Sequence, residues 1–365
     1  MTYTIVGGGI AGLSVAWHLA RSQAGHRVQV LEAGELAGGA SWAAAGMLAP
    51  VHELEFQELE LLQAGLQALA YYPAFCQALG VPLDTTGTLE VPLDTEDLGY
   101  LQRLYRFQQA QGLAVTWLEQ EALRTLEPEL SPHIQAGILA RTDIQVEHRL
   151  LLPTLIDALL HLGVELRPHT PVYSWASLGA GSTELQTNQG SLSTNRLILA
   201  TGCGLPGAEL QLPHKVYPIR GQMLALETGP QPLLRHSVRI RSKAYGPAYL
   251  VPKPNRLLIG STSEEMGRDT RQRAGGLLDI LRKTYRVLPA LYHLHVQDSW
   301  AGLRPATLSR MPCLGAVAPG VWMLNGLYRH GILLGPYLAQ QLVAVLQGAE
   351  VPAVLRPFWL NFSES

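Results

Sequence analysis

Tyr3-Thr4-Ile5-Val6 runs straight into Gly7-Gly8-Gly9-Ile10-Ala11-Gly12, and twenty residues beyond the last of these glycines stands Glu32. The four residues before the glycines read as a short apolar strand. From Leu13 to Leu19 the spacing is that of an amphipathic helix, and Arg27-Val28-Gln29-Val30-Leu31 reads as a second strand that delivers the acid. Strand, glycine turn, helix, strand and terminal acid make up the βαβ unit that binds a dinucleotide. Gly7 permits the tight turn, Gly9 lets the backbone approach a pyrophosphate, and Gly12 lets the helix pack on the strand. The helix N-terminus offers free N–H groups to the phosphates, and Glu32 accepts bonds from ribose hydroxyls.

A bare glycine pattern is a weak signal, and the chain carries its own control. Gly202-Cys203-Gly204-Leu205-Pro206-Gly207 has the same spacing, follows the apolar run 197–200, and has Glu227 twenty residues on. Pro213 and Pro218, however, interrupt the segment that would have to be the crossover helix. The sequence therefore supports one dinucleotide site, which favours FAD used alone over a flavin reduced by NAD(P)H.

At 365 residues the chain can bury a large core and is expected to form two interleaved domains. A net charge of −2 gives no electrostatic case for nucleic acid or an anionic membrane as a partner. The N-terminus lacks a basic flank and a small-residue cleavage site, and no apolar run is long enough to span a bilayer. Cys76, Cys203 and Cys313 lie far apart and form no metal or disulfide spacing, so no metal is expected. A cytoplasmic enzyme acting on a small molecule is the simplest reading.

After the βαβ unit comes Gly38-Gly39-Ala40-Ser41-Trp42-Ala43-Ala44-Ala45-Gly46-Met47, small residues that let a backbone lie against a bulky flat ligand. A helical pattern runs over 53–79, broken by Pro73. Strands are expected at 88–91 and 136–140, and helices at 96–111 and 150–162. A strand at 163–167, a β-meander from Val172 to 194 and a fully apolar strand at 197–200 follow. Residues 215–261 change to strands with turns, including a hairpin around Pro254-Asn255, and a helix is expected over 270–287. Val321-Trp322-Met323-Leu324-Asn325 then reads as a strand, 326–331 as a turn and 332–346 as a long helix. The predicted fold is α/β, with a Rossmann-like FAD-binding domain (1–80, 141–212 and 298–365) and an antiparallel-sheet α+β substrate domain (81–140 and 213–297).

Four stretches together carry a resemblance: the Gly7–Gly12 turn with Glu32; Ala43-Ala44-Ala45-Gly46-Met47-Leu48; Gly302-Leu303-Arg304-Pro305 with Thr307; and Tyr328-Arg329-His330-Gly331-Ile332-Leu333-Leu334. They resemble the D-amino-acid oxidase family of FAD enzymes, and within it the branch that oxidises glycine in thiamine synthesis. The resemblance runs from end to end. It implies noncovalent FAD, with its ADP half near Ile10, Ala11, Glu32 and Ala33 and its adenine side at Val172. Ala40, Ser41, Ala45, Gly46 and Met47 would approach the pyrophosphate and isoalloxazine. The turn Leu327, Tyr328, Arg329, His330, Gly331, Ile332 and Leu333 would lie beside the flavin ring. Arg304 matches the arginine that holds the substrate carboxylate, Tyr249 the tyrosine that assists it, and Arg329 a second active-site arginine. A homotetramer is implied as well.

Three positions depart from the family pattern. Pro247 stands where members often have His, Ser263 where they often have Met, and Leu327-Tyr328-Arg329-His330 where they often have His-Tyr-Arg-Asn or His-Phe-Arg-Asn. These positions line or border the pocket, so the preferred amine stays open.

Oxidising an α-amino acid moves a hydride from Cα to the flavin while the amine becomes an imine, which water hydrolyses to an oxo acid. The cofactor carries that chemistry and the protein aims the substrate, for which a bidentate arginine is well suited. No residue need act as acid or base if the neutral amine binds. The expected reaction takes glycine, and by resemblance sarcosine and small D-amino acids, with oxygen to the oxo acid, ammonia and hydrogen peroxide. Two rivals remain: a related oxidase or dehydrogenase of another D- or N-substituted amino acid, and a flavoprotein that turns over only within a larger dehydrogenase complex.

Overall fold

The strand Thr2–Val6 lies inside a seven-stranded sheet, between Arg27–Leu31 and Arg196–Leu199 and parallel to both, with Tyr3 opposite Val28 and Arg196. The computed structural model describes residues 1–362 apart from 23, 24, 54, 57, 180, 205–209, 211 and 213. Across the sheet the strands run Trp359–Leu360, Cys313–Ala318, Val321–Asn325, Arg196–Leu199, Thr2–Val6, Arg27–Leu31 and Glu165–Arg167. Only the pair Cys313–Ala318 and Val321–Asn325 is antiparallel.

Successive side chains of a strand point to opposite faces, and both faces are covered here. Ile5 and Ile198 face the core made by the helices Ile10–Ser22, Leu59–Leu79, His148–His161 and Gly331–Leu346. Val6, Leu197 and Leu199 face the other way, onto Val172 and Leu185 of the meander Val172–Gly179, Ser182–Thr187 and Gly190–Thr194. Continuous apolar runs are what a parallel strand needs when it is buried on both sides. The first helix packs close because residue 12 is glycine: a Cβ there would lie 1.9 Å from the Gly7 carbonyl oxygen.

A second sheet of eight strands, mostly antiparallel, is ordered Val296–Ala306, Tyr217–Glu227, Arg256–Gly260, Ala248–Lys253, Ser237–Arg241, Thr88–Pro92, Ala136–Ala140 and Val115–Glu119. The helix Ala274–Val287 packs on one face through Ile280 and Val287. Leu101 and Leu104, on the helix Thr95–Ala110, pack with Ile138 of this sheet. The fold is the expected one, a Rossmann-like domain joined to an antiparallel-sheet α+β domain.

Several local expectations need correction. Pro73 does not break the helix, which runs unbroken from Leu59 to Leu79. Pro73 itself is exposed, while its neighbours Tyr72, Phe75 and Cys76 are buried, Phe75 edge-on to Trp17 at 5.2 Å. Burial of that face outweighs the local cost of a ring in the helix. The helix expected from residue 270 starts at Ala274. Val115–Glu119, Val296–Ala306 and Cys313–Ala318 are strands the sequence reading did not include. Pro218 lies in the strand Tyr217–Glu227, and no helix occurs among the described residues between 200 and 216. Leu205–Gly207 of the second glycine pattern, and Pro213, lie outside the described residues. No helix of the described residues is long and apolar enough to cross a membrane.

Candidate active site

A cleft of about 910 Å³ opens where the C-terminal ends of Thr2–Val6 and Arg196–Leu199 meet the second sheet. Crevices at this end of parallel strands are where such folds bind ligands. Gly7, Gly9, Ile10, Ala11, Glu32, Ala33, Ala40, Ser41, Ala45, Gly46, Met47 and Val172 line it on the sheet side, and the turn from Leu327 through Leu333 lines its floor. Tyr249 and Arg304 line the side that faces the second sheet, with Pro247 and Ser263 beside them. Of the residues expected at the site, only Gly12 stays outside the lining, beneath the turn.

The cleft's shape and donors fit FAD. Its volume is near the upper end of the range for small-molecule sites, as an extended dinucleotide requires. Gly7 has φ 114°, and a Cβ there would sit 2.2 Å from the Ala200 carbonyl oxygen, so only glycine makes this turn. A Cβ on Gly9 would meet nothing within 4 Å except the Ser41 hydroxyl at 3.2 Å, leaving that backbone open to the cleft. The Glu32 carboxylate accepts from the N–H groups of Gly8 (2.6 Å) and Gly34 (2.9 Å), which fixes it at the cleft edge. The small-residue run is held on the far wall: Trp300 donates its indole N–H to the Ala43 carbonyl at 3.1 Å, and a Cβ on Gly302 would lie 2.4 Å from that of Ala43. A backbone pinned this way offers a flat apolar surface.

The arginines differ in what they face. Arg304, near the end of Val296–Ala306, donates to the Thr262 carbonyl at 3.1 Å and to the Ser261 hydroxyl. Both partners are uncharged, and among the described residues no carboxylate lies within ion-pair distance of Arg304, whose guanidinium is half-buried in the cleft. Tyr249 is on the neighbouring hairpin; its hydroxyl lies 3.0 Å from the Met223 sulfur. Burial raises its phenol above the usual range, although Arg304 beside it pulls the other way, so the hydroxyl keeps its proton. Arg329 is committed: Nε lies 2.9 Å from Glu53 Oε2, and Nη2 lies 2.5 Å from Glu58 Oε2 and donates to the Glu53 carbonyl at 3.0 Å. Its expected place in the cleft is the one it has, but its charge is already answered.

Glu53, Glu58 and Arg239 line the same cleft and were not singled out in the sequence. Glu53 ends the short helix Pro50–Glu53, directly after the small-residue run, and its Oε1 lies 3.0 Å from Nη1 of Arg239. Burial opposes the Glu53 charge, but Arg239 and then Arg329 outweigh it and hold the carboxyl down to about 2. His330 caps the helix Gly331–Leu346; burial, reinforced by Arg329, pushes it down to about 3, so it is neutral, and its Nε2 is without a partner among the described residues. No local motif marks these residues, because Glu53 and Arg239 are far apart in sequence and meet only in the fold.

The chain matches the family described as "FAD dependent oxidoreductase" (DAO) over residues 2–345. It is 32% identical over 369 residues to the glycine oxidase of Geobacillus kaustophilus, covering 98% of this chain and 96% of that one. The crystal structure of glycine oxidase from that organism superposes with a TM-score of 0.89, covering 100% of this chain and 99% of the other. A bifunctional ThiO/ThiG protein of Synechocystis is 32% identical over 365 residues; this chain spans 53% of its length.

Proposed function

The chain belongs to the FAD-dependent oxidoreductase (DAO) family, its cofactor is FAD, and we propose that it oxidises glycine, with sarcosine and small D-amino acids as further substrates. The reaction is glycine + O2 + H2O → glyoxylate + NH3 + H2O2, and it would serve thiamine synthesis. The names of the relatives support glycine and thiamine. The observation that carries the reading from the site is Arg304, a guanidinium that forms no ion pair among the described residues, in the same cleft as the glycine turn.

Held against the Gly7–Gly12 turn and the small-residue run from Ala40 to Met47, FAD would supply the two-electron acceptor for oxidation at the substrate Cα. The residues do the rest. Arg304 binds the carboxylate in direction as well as position, and Tyr249, protonated, donates to the same group. Ala45 and Met223 line the cleft beside them, backed by Trp300 in one apolar cluster. Arg329 belongs to the site through Glu53 and Glu58 rather than by a direct substrate contact.

Noncovalent FAD, oxygen as acceptor and a homotetrameric cytoplasmic protein belong to the same reading, supported by the family resemblance; Cys313 is buried against Asn325 and is not in the cleft lining. For the domain division we place 298–306 with the substrate part, because the strand Val296–Ala306 pairs along its length with Tyr217–Glu227. Pro247 and Ser263 in the lining favour, as second reading, an oxidase or dehydrogenase of another small amine. Oxygen uptake measured over a panel of glycine, sarcosine and D-amino acids tests both: glycine fastest, with ammonia and peroxide formed one to one, is expected, and a different preferred amine would select the second reading.

A further inference from the structure

Of three arginines on the substrate side of the cleft, Arg239, Arg304 and Arg329, two share one acid, and Glu58 pairs with Arg329 as well. Glu53 places Oε1 3.0 Å from Arg239 and Oε2 2.9 Å from Arg329. Arg239 comes from the second sheet and Arg329 from the turn at the cleft floor, so Glu53 bridges the two sides of the site. The Arg239 side chain is 7% exposed, and its other acids, Glu55 and Glu90, stand off at 3.9 and 3.8 Å. Two guanidiniums gripping one carboxylate in a ligand cleft is the arrangement that would otherwise hold an acidic ligand.

We propose that Glu53 is a specificity-determining residue that takes, from within the chain, the place of a second substrate carboxylate, so that the pocket accepts amines bearing one carboxylate and rejects those bearing two. This rests on the reading of Arg304 as the carboxylate partner. With Glu53 ionised, Arg304 is the one of these three guanidiniums that forms no ion pair among the described residues, and it binds one carboxylate. A second carboxylate reaching toward Arg239 or Arg329 meets cations already neutralised and the negative charge of Glu53 between them. Discrimination by a built-in repulsive group needs no added contact to the favoured substrate. Arg310 also lines the cleft without an acid partner among the described residues, but it is exposed, where water screens its charge.

The test compares the FAD-loaded wild type with Glu53→Gln and Glu53→Asp. Binding of malonate and of acetate is read by thermal shift and by flavin spectral perturbation, and kcat/KM is measured for glycine, D-aspartate and N-carboxymethylglycine. In the wild type malonate binds no more tightly than acetate. In Glu53→Gln, malonate tightens relative to acetate at least tenfold, and the dicarboxylate-to-glycine kcat/KM ratio rises at least tenfold, while Glu53→Asp keeps the wild-type preference. Unchanged ratios in a flavin-loaded Glu53→Gln protein overturn the proposal. Should that variant not fold, tighter malonate than acetate binding by the wild type overturns it alone. The binding comparison needs no turnover, so a protein that leaves glycine unoxidised refutes the proposed function without deciding this inference.

Discussion

Arg304 and Arg329 are the same residue type in the same cleft, and their partners separate them. Arg304 has a carbonyl and a hydroxyl; Arg329 has two carboxylates. A charge-assisted bond to a carboxylate is worth roughly 1.5–3 kcal/mol net, which is about a ten- to hundredfold change in binding. Arg304→Ala should therefore keep its flavin spectrum and raise the KM for glycine at least tenfold. A KM within twofold of wild type in that variant would remove Arg304 from the substrate. The sequence marked both arginines through local strings around them, but it could not distinguish them. The distinction depends on Glu53 and Glu58, which approach Arg329 only once the chain has folded.

The glycine turn was the most legible element because everything it needs is local: an apolar strand before it, helical spacing after it and an acid at a fixed distance. Gly9 shows what this element is for. A side chain there meets only the Ser41 hydroxyl in the protein itself, so Gly9→Val should fold with a thermal midpoint close to that of the wild-type apoprotein, yet its branched side chain would stand where the pyrophosphate approaches. Loss of the visible flavin band is the expected result; a full flavin complement in the purified variant would contradict it. The strand Val296–Ala306, which carries Arg304, was illegible for the opposite reason. Pro305 argues against a strand in any local reading, but this strand is at the sheet edge and pairs along its length with Tyr217–Glu227, where Pro305 faces Pro218; its end residue Ala306 adds a single bridge to Leu327. At an edge a missing N–H costs no inner ladder bond. Edge position is a property of the sheet and is absent from the string of residues.

At the scale of the whole molecule, the two sheets bring residues from both ends of the chain to one cleft, and that assembly has a pH dependence. Burial pushes His18 and His148 down to about 4, and burial with Arg329 pushes His330 down to about 3. An unfolded histidine titrates near 6.5, so below that value the unfolded chain binds the proton that the folded one refuses. These three therefore contribute full stability above about 6.5 and lose it as pH falls toward their folded values, at a limiting slope of about 1.4 kcal/mol per pH unit each. His52, buried against Asp143, is raised and acts in the opposite sense, contributing below 6.5 and losing that contribution as pH rises through its folded value. Urea midpoints of wild type and His330→Asn between pH 7.5 and 5 isolate one member: the variant should lose less stability over that range, and an identical loss would place His330 outside the account. Glu53, held down to about 2, stays ionised throughout the range.

The visible spectrum of the purified protein tests most directly the proposal that a single cleft joins an FAD site to a one-carboxylate amine site. Glycine added without air should bleach the flavin, and admitted oxygen should restore the colour rapidly with formation of peroxide. A flavin spectrum that glycine leaves untouched under those conditions would contradict the account.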